Sequence, residues 1–303
     1  MSGLNILIIG GSGFVSGTLA RLAVERGDRV WTITRGERPV PDGVTSLVCD
    51  RRDRDAFANL IGELPQNWDL AVDCIGFEAA DARQDIDLFR DRAERFVFVS
   101  TDFVYEPAAR QVPQGEESDY FQAPGSYGGN KRLCELEFVN ADTGAMGWTV
   151  LRPCHIYGPG SQLGCLPMHS RDPELIATLR AGKPLRLAGG GTFLQQPILA
   201  RDLADLILSV PGNEASRSEI YCAAGPNVIE SRAYYRIIAD HLDLSLTVEE
   251  MAVQPYLEAN PNAVNFLCHR VYDLTKLSAS GLTVPVTSMI QGLGEHVDSL
   301  LAG

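Results

Sequence analysis

Gly10-Gly11-Ser12-Gly13-Phe14-Val15-Ser16-Gly17 follows an apolar run, Leu4 to Ile9, and opens onto Thr18 to Gly27, whose composition is helical. The order is strand, glycine turn, helix. Glycines let the backbone turn tightly, and the free amides at a helix N-terminus present partial positive charge to a pyrophosphate. The stretch predicts a dinucleotide site built around Gly10, Ser12, Gly13, Phe14 and Val15. On its own it also fits a strand-to-helix turn with no ligand, so the later motifs decide.

Working outward, Arg29 to Thr34 reads as a second strand and Val44 to Cys49 as a third, each closing on a polar turn. Strand, helix, strand implies a parallel unit, and the fold class is α/β with a doubly wound parallel sheet. Many dinucleotide folds place an acidic residue after the second strand to hold the adenosine ribose, but here the chain reads Thr34-Arg35-Gly36. Arg35 suits a 2'-phosphate, which favours NADP and leaves NAD as the alternative. Asp50, with Arg51 beside it, ends the third strand where a carboxylate either accepts from an adenine amino group or caps the next helix.

Trp68 to Gly76 reads as a fourth strand, ending in Ile75 and Gly76, where small residues allow a cofactor to approach closely. Ala80 to Arg92 reads as a helix. Phe96 to Ser100 is a nearly continuous apolar fifth strand, as expected when both faces of the sheet are covered. Thr101 and Asp102 lie just past its C-terminal end, where open parallel sheets place their ligands. Glu106 to Ser126 reads as a surface loop, Tyr127 to Val139 as a helix and Trp148 to Arg152 as a sixth strand. Later elements are helices over Pro173 to Ala181, Asp202 to Val210, Ser231 to Leu242 (capped by Ser231) and Asp273 to Ser278. A short strand at Leu185 to Leu187, an extended Phe193 to Leu199 and a late strand at Ile220 to Ala223 complete the reading.

The chain of 303 residues is 45% hydrophobic, enough for a large core in one or two domains. Its seven cysteines (49, 74, 134, 154, 165, 222 and 268) are odd in number, scattered and mostly within apolar runs, which predicts reduced thiols and no metal site. No apolar run approaches the roughly 20 residues of a membrane span. Met1-Ser2-Gly3 shows no basic leader, so a cytoplasmic location and no membrane partner are expected. A net charge of -13 opposes nucleic acid as a partner.

Tyr127 and Lys131 are four residues apart, which stacks them on one helix face. A lysine ammonium, together with the positive charge of an oxidised nicotinamide, would favour the phenolate and make Tyr127 a base near neutral pH. Thr101 could then donate a hydrogen bond to the oxygen that Tyr127 deprotonates.

Taken together, Gly10 to Gly17, Asp50, Ser100-Thr101-Asp102-Phe103-Val104-Tyr105, Tyr127 with Lys131, and Leu151-Arg152-Pro153-Cys154-His155-Ile156-Tyr157-Gly158-Pro159 resemble the extended short-chain dehydrogenase/reductase family. These are the NAD(P)-dependent sugar epimerases, dehydratases and reductases. The resemblance implies a Rossmann-type fold in which Tyr127 is the base, Lys131 its ribose-binding partner and Thr101 the group that polarises the reacting oxygen. It places Pro153 and His155 against the cofactor. It also implies that Gln195 to Ala204 returns to the nucleotide domain: 1–160 plus roughly 193–224 bind the dinucleotide, and roughly 161–192 and 225–303 form a smaller, discontinuous C-terminal substrate lobe. A homodimer is the expected assembly.

The departures from the family pattern define what stays open. The third glycine of Gly-x-x-Gly-x-x-Gly is Ser16, with Gly17 one place late. Phe103 replaces the Glu with which the dehydratases remove a proton, so Asp102 is either an acid or a hydrogen-bonding loop residue. His155 stands where the family's loop usually has Asn, and Gln195 where an Arg often grips a substrate diphosphate. His269-Arg270 could supply phosphate contacts instead, or be a solvated basic pair. The expected function is hydride transfer at a secondary alcohol or ketone of a sugar or sugar nucleotide, by a redox-neutral epimerase or dehydratase. The alternatives are an NADPH-dependent keto-sugar reductase and a non-catalytic, dinucleotide-sensing or RNA-binding relative.

Overall fold

The computed structural model describes residues 3–64 and 67–302; Met1 and Ser2, read above for a leader, lie outside them. The central strands are β1 (Asn5–Ile9), β2 (Arg29–Thr34), β3 (Thr45–Val48), β4 (Trp68–Asp73), β5 (Ala93–Val99) and β6 (Gly147–Pro153). Four short strands follow: β7 (Ile156–Tyr157), β8 (Leu185–Ala188), β9 (Leu194–Gln195) and β10 (Ile198–Leu199). The chain then adds β11 (Glu219–Ala223), β12 (Ile229–Glu230) and β13 (Val248–Met251). One seven-stranded sheet has the order β11-β6-β5-β4-β1-β2-β3, and every pairing within it is parallel. This is the doubly wound Rossmann-type arrangement. Strand order reverses between β1 and β4, and the crevice beyond their C-terminal ends is where such sheets hold ligands.

The helices are α1 (Phe14–Glu25), α2 (Arg54–Glu63), α3 (Ala79–Phe89), α4 (Tyr127–Asn140), α5 (Leu175–Arg180), α6 (Ala200–Leu208), α7 (Ser231–His241), α8 (Val253–Ala259), α9 (Thr275–Ala279) and α10 (Met289–Ala302). Alternate residues of each strand feed alternate faces, as the twofold period of a strand requires. Ile6 and Ile8 of β1 pack with Leu19, Ala20 and Ala23 of α1 and with Leu203 and Ile207 of α6. Leu7 and Ile9 face the other way, toward Phe57 of α2, Ile86 and Phe89 of α3 and Phe138 of α4. A third core lies apart from these two, around Tyr157, Leu187, Tyr234, Tyr235, Ile238 and Leu293.

Tyr272, Leu277 and Leu282, from the stretch expected in the lobe, are part of the first core, beside β11 and α6. Outside the main sheet β10 pairs with β7, β12 with β9 and β13 with β8, and β7, β9 and β10 fall within the residues expected in the dinucleotide-binding part. Ser231 does not cap α7. Glu230 holds the cap position without a side-chain bond, and the Ser231 hydroxyl donates to the carbonyl of Phe193. The helix after β3, α2, is capped by Asp53, which accepts from the Ala56 amide, and not by Asp50, whose carboxylate accepts from the Arg52 amide. All seven cysteines are unpaired, with Cys134, Cys154, Cys165 and Cys222 buried.

Candidate active site

The glycine turn is shaped by contact as well as by conformation. Gly11 has φ +116°, and a Cβ there would lie 2.4 Å from Thr32 Cγ2 on the neighbouring strand. Such a residue could neither adopt the turn nor fit beside β2. Ser16, at the family's third glycine position, is buried beneath Gly10, and its hydroxyl accepts from the Gly13 amide. Gly13 is the N-cap of α1 and has no side chain to occupy the helix's first amides. These residues fit a dinucleotide pyrophosphate on the positive end of α1.

A cavity of about 720 Å³ opens over this turn. Among its lining residues are Gly10, Ser12, Gly13, Arg35, Asp50, Arg51 and Ile75. A crevice of about 430 Å³ includes Val15, Thr101, Asp102, Tyr127, Lys131, Pro153 and His155. The sequence-read residues therefore divide between a nucleotide-sized space and a space for reacting groups. Phe14 lines neither; it starts α1 and lies near Gly160. Gly76 contributes its carbonyl, which accepts from Lys131 Nζ at 2.8 Å.

Arg35 is 59% exposed and pairs with Glu37 at 2.7 Å. Asp50 accepts from the Arg52 amide. The buried Arg51 is engaged by three carboxylates, with Asp73 at 2.5 Å, Asp85 at 3.0 Å and Asp81 at 3.6 Å. Burial works against ionisation of Asp73, but Arg51 holds its carboxyl below the usual range, and Asp73 Oδ1 accepts from the amides of Ile75 and Gly76. Burial and the Asp73 charge push Asp85 well above the ordinary carboxylate range. This acidic cluster under the cofactor loop fixes the backbone at Ile75 and Gly76.

Thr101 Oγ1 accepts from the Phe103 amide at 3.2 Å and caps the 3-10 turn Asp102–Val104. Its lone pair is thereby engaged inward, and its own proton remains for a ligand. Lys131 Nζ donates to Gly76 O and, at 2.6 Å, to Val99 O, while standing 4.1 Å over the Phe98 ring. Burial lowers its pKa. Tyr127 is 49% exposed, with the Phe77 and Phe103 ring centroids 5.8 and 6.3 Å from its own. Burial by its neighbours and the Asp102 charge raise its pKa, and the cation that acts against them is Arg171. The Lys131 ammonium is directed to two backbone carbonyls, Gly76 O and Val99 O.

Asp102 is not free to exchange a proton at neutral pH. Arg270 Nε and Nη2 donate to it at 2.7 and 3.0 Å, Arg110 Nη1 at 3.1 Å, and the Tyr272 hydroxyl also donates. Burial opposes its charge, but Arg270 and Arg110 hold its pKa down to about 2. Of the two roles left open for it, hydrogen bonding fits this environment and acid catalysis does not. Arg270 is buried, which removes the reading of His269-Arg270 as a solvated pair. Burial and the nearby charge of Arg270 lower His155 to about 3, so its imidazole is neutral.

Sequence reasoning missed the buried frame behind these groups. Glu135 of α4 takes Arg152 Nε and Nη2 at 3.0 and 2.7 Å and the Ser100 hydroxyl at 2.6 Å. A signal was present, because Glu135 lies four residues beyond Lys131 on the same helix face. Arg171, in an irregular loop at φ +49°, gave none.

A glycine turn at the switch point of a doubly wound sheet, facing Thr101 and a helical Tyr127-Lys131 pair, defines an extended short-chain dehydrogenase/reductase. Residues 6–224 match the NAD dependent epimerase/dehydratase family, and the chain belongs to that family. Similar proteins include the chloroplast stem-loop binding protein of 41 kDa b of Arabidopsis thaliana, 26% identical over 239 residues, covering 74% of this chain and 59% of that protein. The 2-alkyl-3-oxoalkanoate reductase of Stenotrophomonas maltophilia is 28% identical over 227 residues, 66% of this chain and 65% of that one. The chain thus spans about three fifths of the length of these relatives. In fold it is similar to the UDP-N-acetylglucosamine 4-epimerase from Methanobrevibacter ruminantium M1, solved with UDP-N-acetylmuramic acid. The TM-score is 0.78 at 15% identity, over 100% of this chain and 99% of that one. Among the described residues no helix is long and apolar enough to cross a membrane, and no group of His, Cys, Asp or Glu could hold a metal ion.

Proposed function

We propose that the chain is an epimerase/dehydratase-family enzyme that transfers hydride at a secondary alcohol or ketone of a sugar, carried as a sugar nucleotide, in a redox-neutral reaction such as epimerisation. The observation that carries this reading is that Thr101, Tyr127 and Lys131 line one crevice with Val15, at the start of the helix that follows the glycine turn. A nicotinamide bound there would supply hydride acceptance and donation. Tyr127 takes the proton of the substrate hydroxyl as a phenolate and returns it as a phenol. Thr101 donates its hydroxyl proton to the same oxygen and fixes its position. Two of the three Lys131 N–H groups are used on Gly76 and Val99, which leaves one for a ribose hydroxyl. The chain alone raises the pKa of Tyr127, so the positive charge of a bound oxidised nicotinamide would act against that shift and favour the phenolate.

Arg35, paired with exposed Glu37 and with no other ion pair among the described residues, is proposed as the contact for a 2'-phosphate, with NADP as the favoured cofactor. The test is to purify the protein, identify any retained nicotinamide and follow its absorbance as sugars and sugar nucleotides are added. Retention with transient reduction supports the redox-neutral reaction; stoichiometric consumption of NADPH supports the keto-sugar reductase, a reading that the name of the Stenotrophomonas relative favours. Tyr127→Phe is expected to abolish turnover while keeping cofactor affinity, and equal activity would sink the assignment. Arg35→Ala is expected to lose NADP affinity and keep NAD affinity; parallel changes in both would remove the phosphate contact. The name of the Arabidopsis relative raises RNA binding, which a net charge of -13 opposes.

A further inference from the structure

Charge in the substrate crevice runs against that of the whole chain. The chain carries a net charge of -13, yet the crevice is lined by Lys131, Arg171 and Arg270 against the one carboxylate of Asp102. Asp102 is already shared with Arg110, which adds a further cation behind the wall. Lys131 is committed to Gly76 and Val99, whereas the other two lining cations keep unused donors. Arg270 is 2% exposed and donates to Asp102 through Nε and Nη2, but its Nη1 has no hydrogen-bond partner. A buried guanidinium N–H without an acceptor is costly unless a ligand supplies one. Arg171 has no carboxylate partner among the described residues, and its backbone is held at φ +49°. The Phe103 ring stacks 5.0 Å from the Arg270 guanidinium, and Phe266 meets Phe103 edge-on at 5.2 Å. The ring packing covers Arg270 on that side.

We infer that Arg171 and Arg270 form an oxyanion subsite, and that the substrate bears a carboxylate or phosphate close to the carbon presented to Thr101 and Tyr127. The inference rests on the proposed hydride-transfer reading and names its substrate class. Guanidinium suits this task because its planar fork matches two oxygens of one anion. The apolar Phe103 and Phe266 wall strengthens the pairing by thinning the water around it.

The test is calorimetric titration of the nicotinamide-loaded protein with matched probes. Glucuronate and glucose 1-phosphate are each compared with glucose, and UDP-glucuronate with UDP-glucose. An acid-over-neutral preference of about tenfold or more is expected, the strength of one charged hydrogen bond. Preference confined to the two uronates assigns a carboxylate, and preference for glucose 1-phosphate alone assigns a phosphate. Arg171→Ala is exposed enough to leave the fold intact, checked by an unchanged Tm, and should remove most of the preference. Arg270→Lys retains a charge against Asp102 and should weaken binding of the acid probes more than that of their neutral counterparts. Equal binding of acid and neutral probes, binding of none of them, or a preference unaffected by both variants overturns the subsite. The hydride-transfer reading fails separately, if the acid preference stands and no probe changes the nicotinamide absorbance.

Discussion

His155 stands in the loop after β6 with Arg270, Arg171 and His296 acting to keep it neutral and Asp102 acting the other way, while burial is the largest influence. Its folded pKa of about 3 lies below the ordinary 6.5, so between these values the unfolded chain binds the extra proton. Stability from this group is complete above pH 6.5 and is lost as pH falls toward 3. Asp102 acts later, between its ordinary 3.8 and about 2. Unfolding measured at pH 7 and at about pH 4.5 should therefore show a loss of about 2 kcal/mol from His155 before Asp102 titrates. His155→Asn should flatten that difference, and an unchanged pH dependence would show that the imidazole is protonated as readily in the folded chain. Tyr127 and Lys131 were legible because helical spacing is local. The partners of Asp102 were not, because Arg270 lies 168 positions away and only the fold joins them.

Helix α4 is the element that converts those residues into a site. Ser126 caps it by accepting from the Gly129 amide, a signal present in the sequence. Gly128 lets it rest on the preceding turn, where a Cβ would stand 1.7 Å from Phe103 O, and this contact sets Tyr127 beside Thr101. Farther along, Glu135 ties the helix to β6 through Arg152, a fully buried pair. Glu135→Gln leaves the Arg152 charge uncompensated and should cost about 3–5 kcal/mol in urea unfolding. A loss below about 1 kcal/mol would show that the pair contributes little to holding α4. Other elements differ in how plainly the sequence announces them. Helix α10 shows Met289, Leu293 and Val297 at helical spacing, all buried, and was readable though unread. Helix α8 buries no residue fully; Val253, Tyr256 and Leu257 stand at helical spacing and pack partly against the third core, a pattern only two turns long.

Across the molecule, the parallel sheet was legible because five of its strands are apolar runs ending in turns or glycines, and each run feeds two cores by simple alternation. The boundary between nucleotide half and lobe was less legible, since it depends on where distant segments land. The third core keeps the lobe's own aromatic pair, Tyr234 and Tyr235, away from the sheet. The stretch from Arg270 to Leu282 crosses back, first to Asp102 and then into the core beside β11. During synthesis β1 and the glycine turn emerge well before Tyr272, Leu277 and Leu282, which complete the same core. The first core therefore stays unsealed over the more than 250 residues of synthesis that separate β1 from Tyr272.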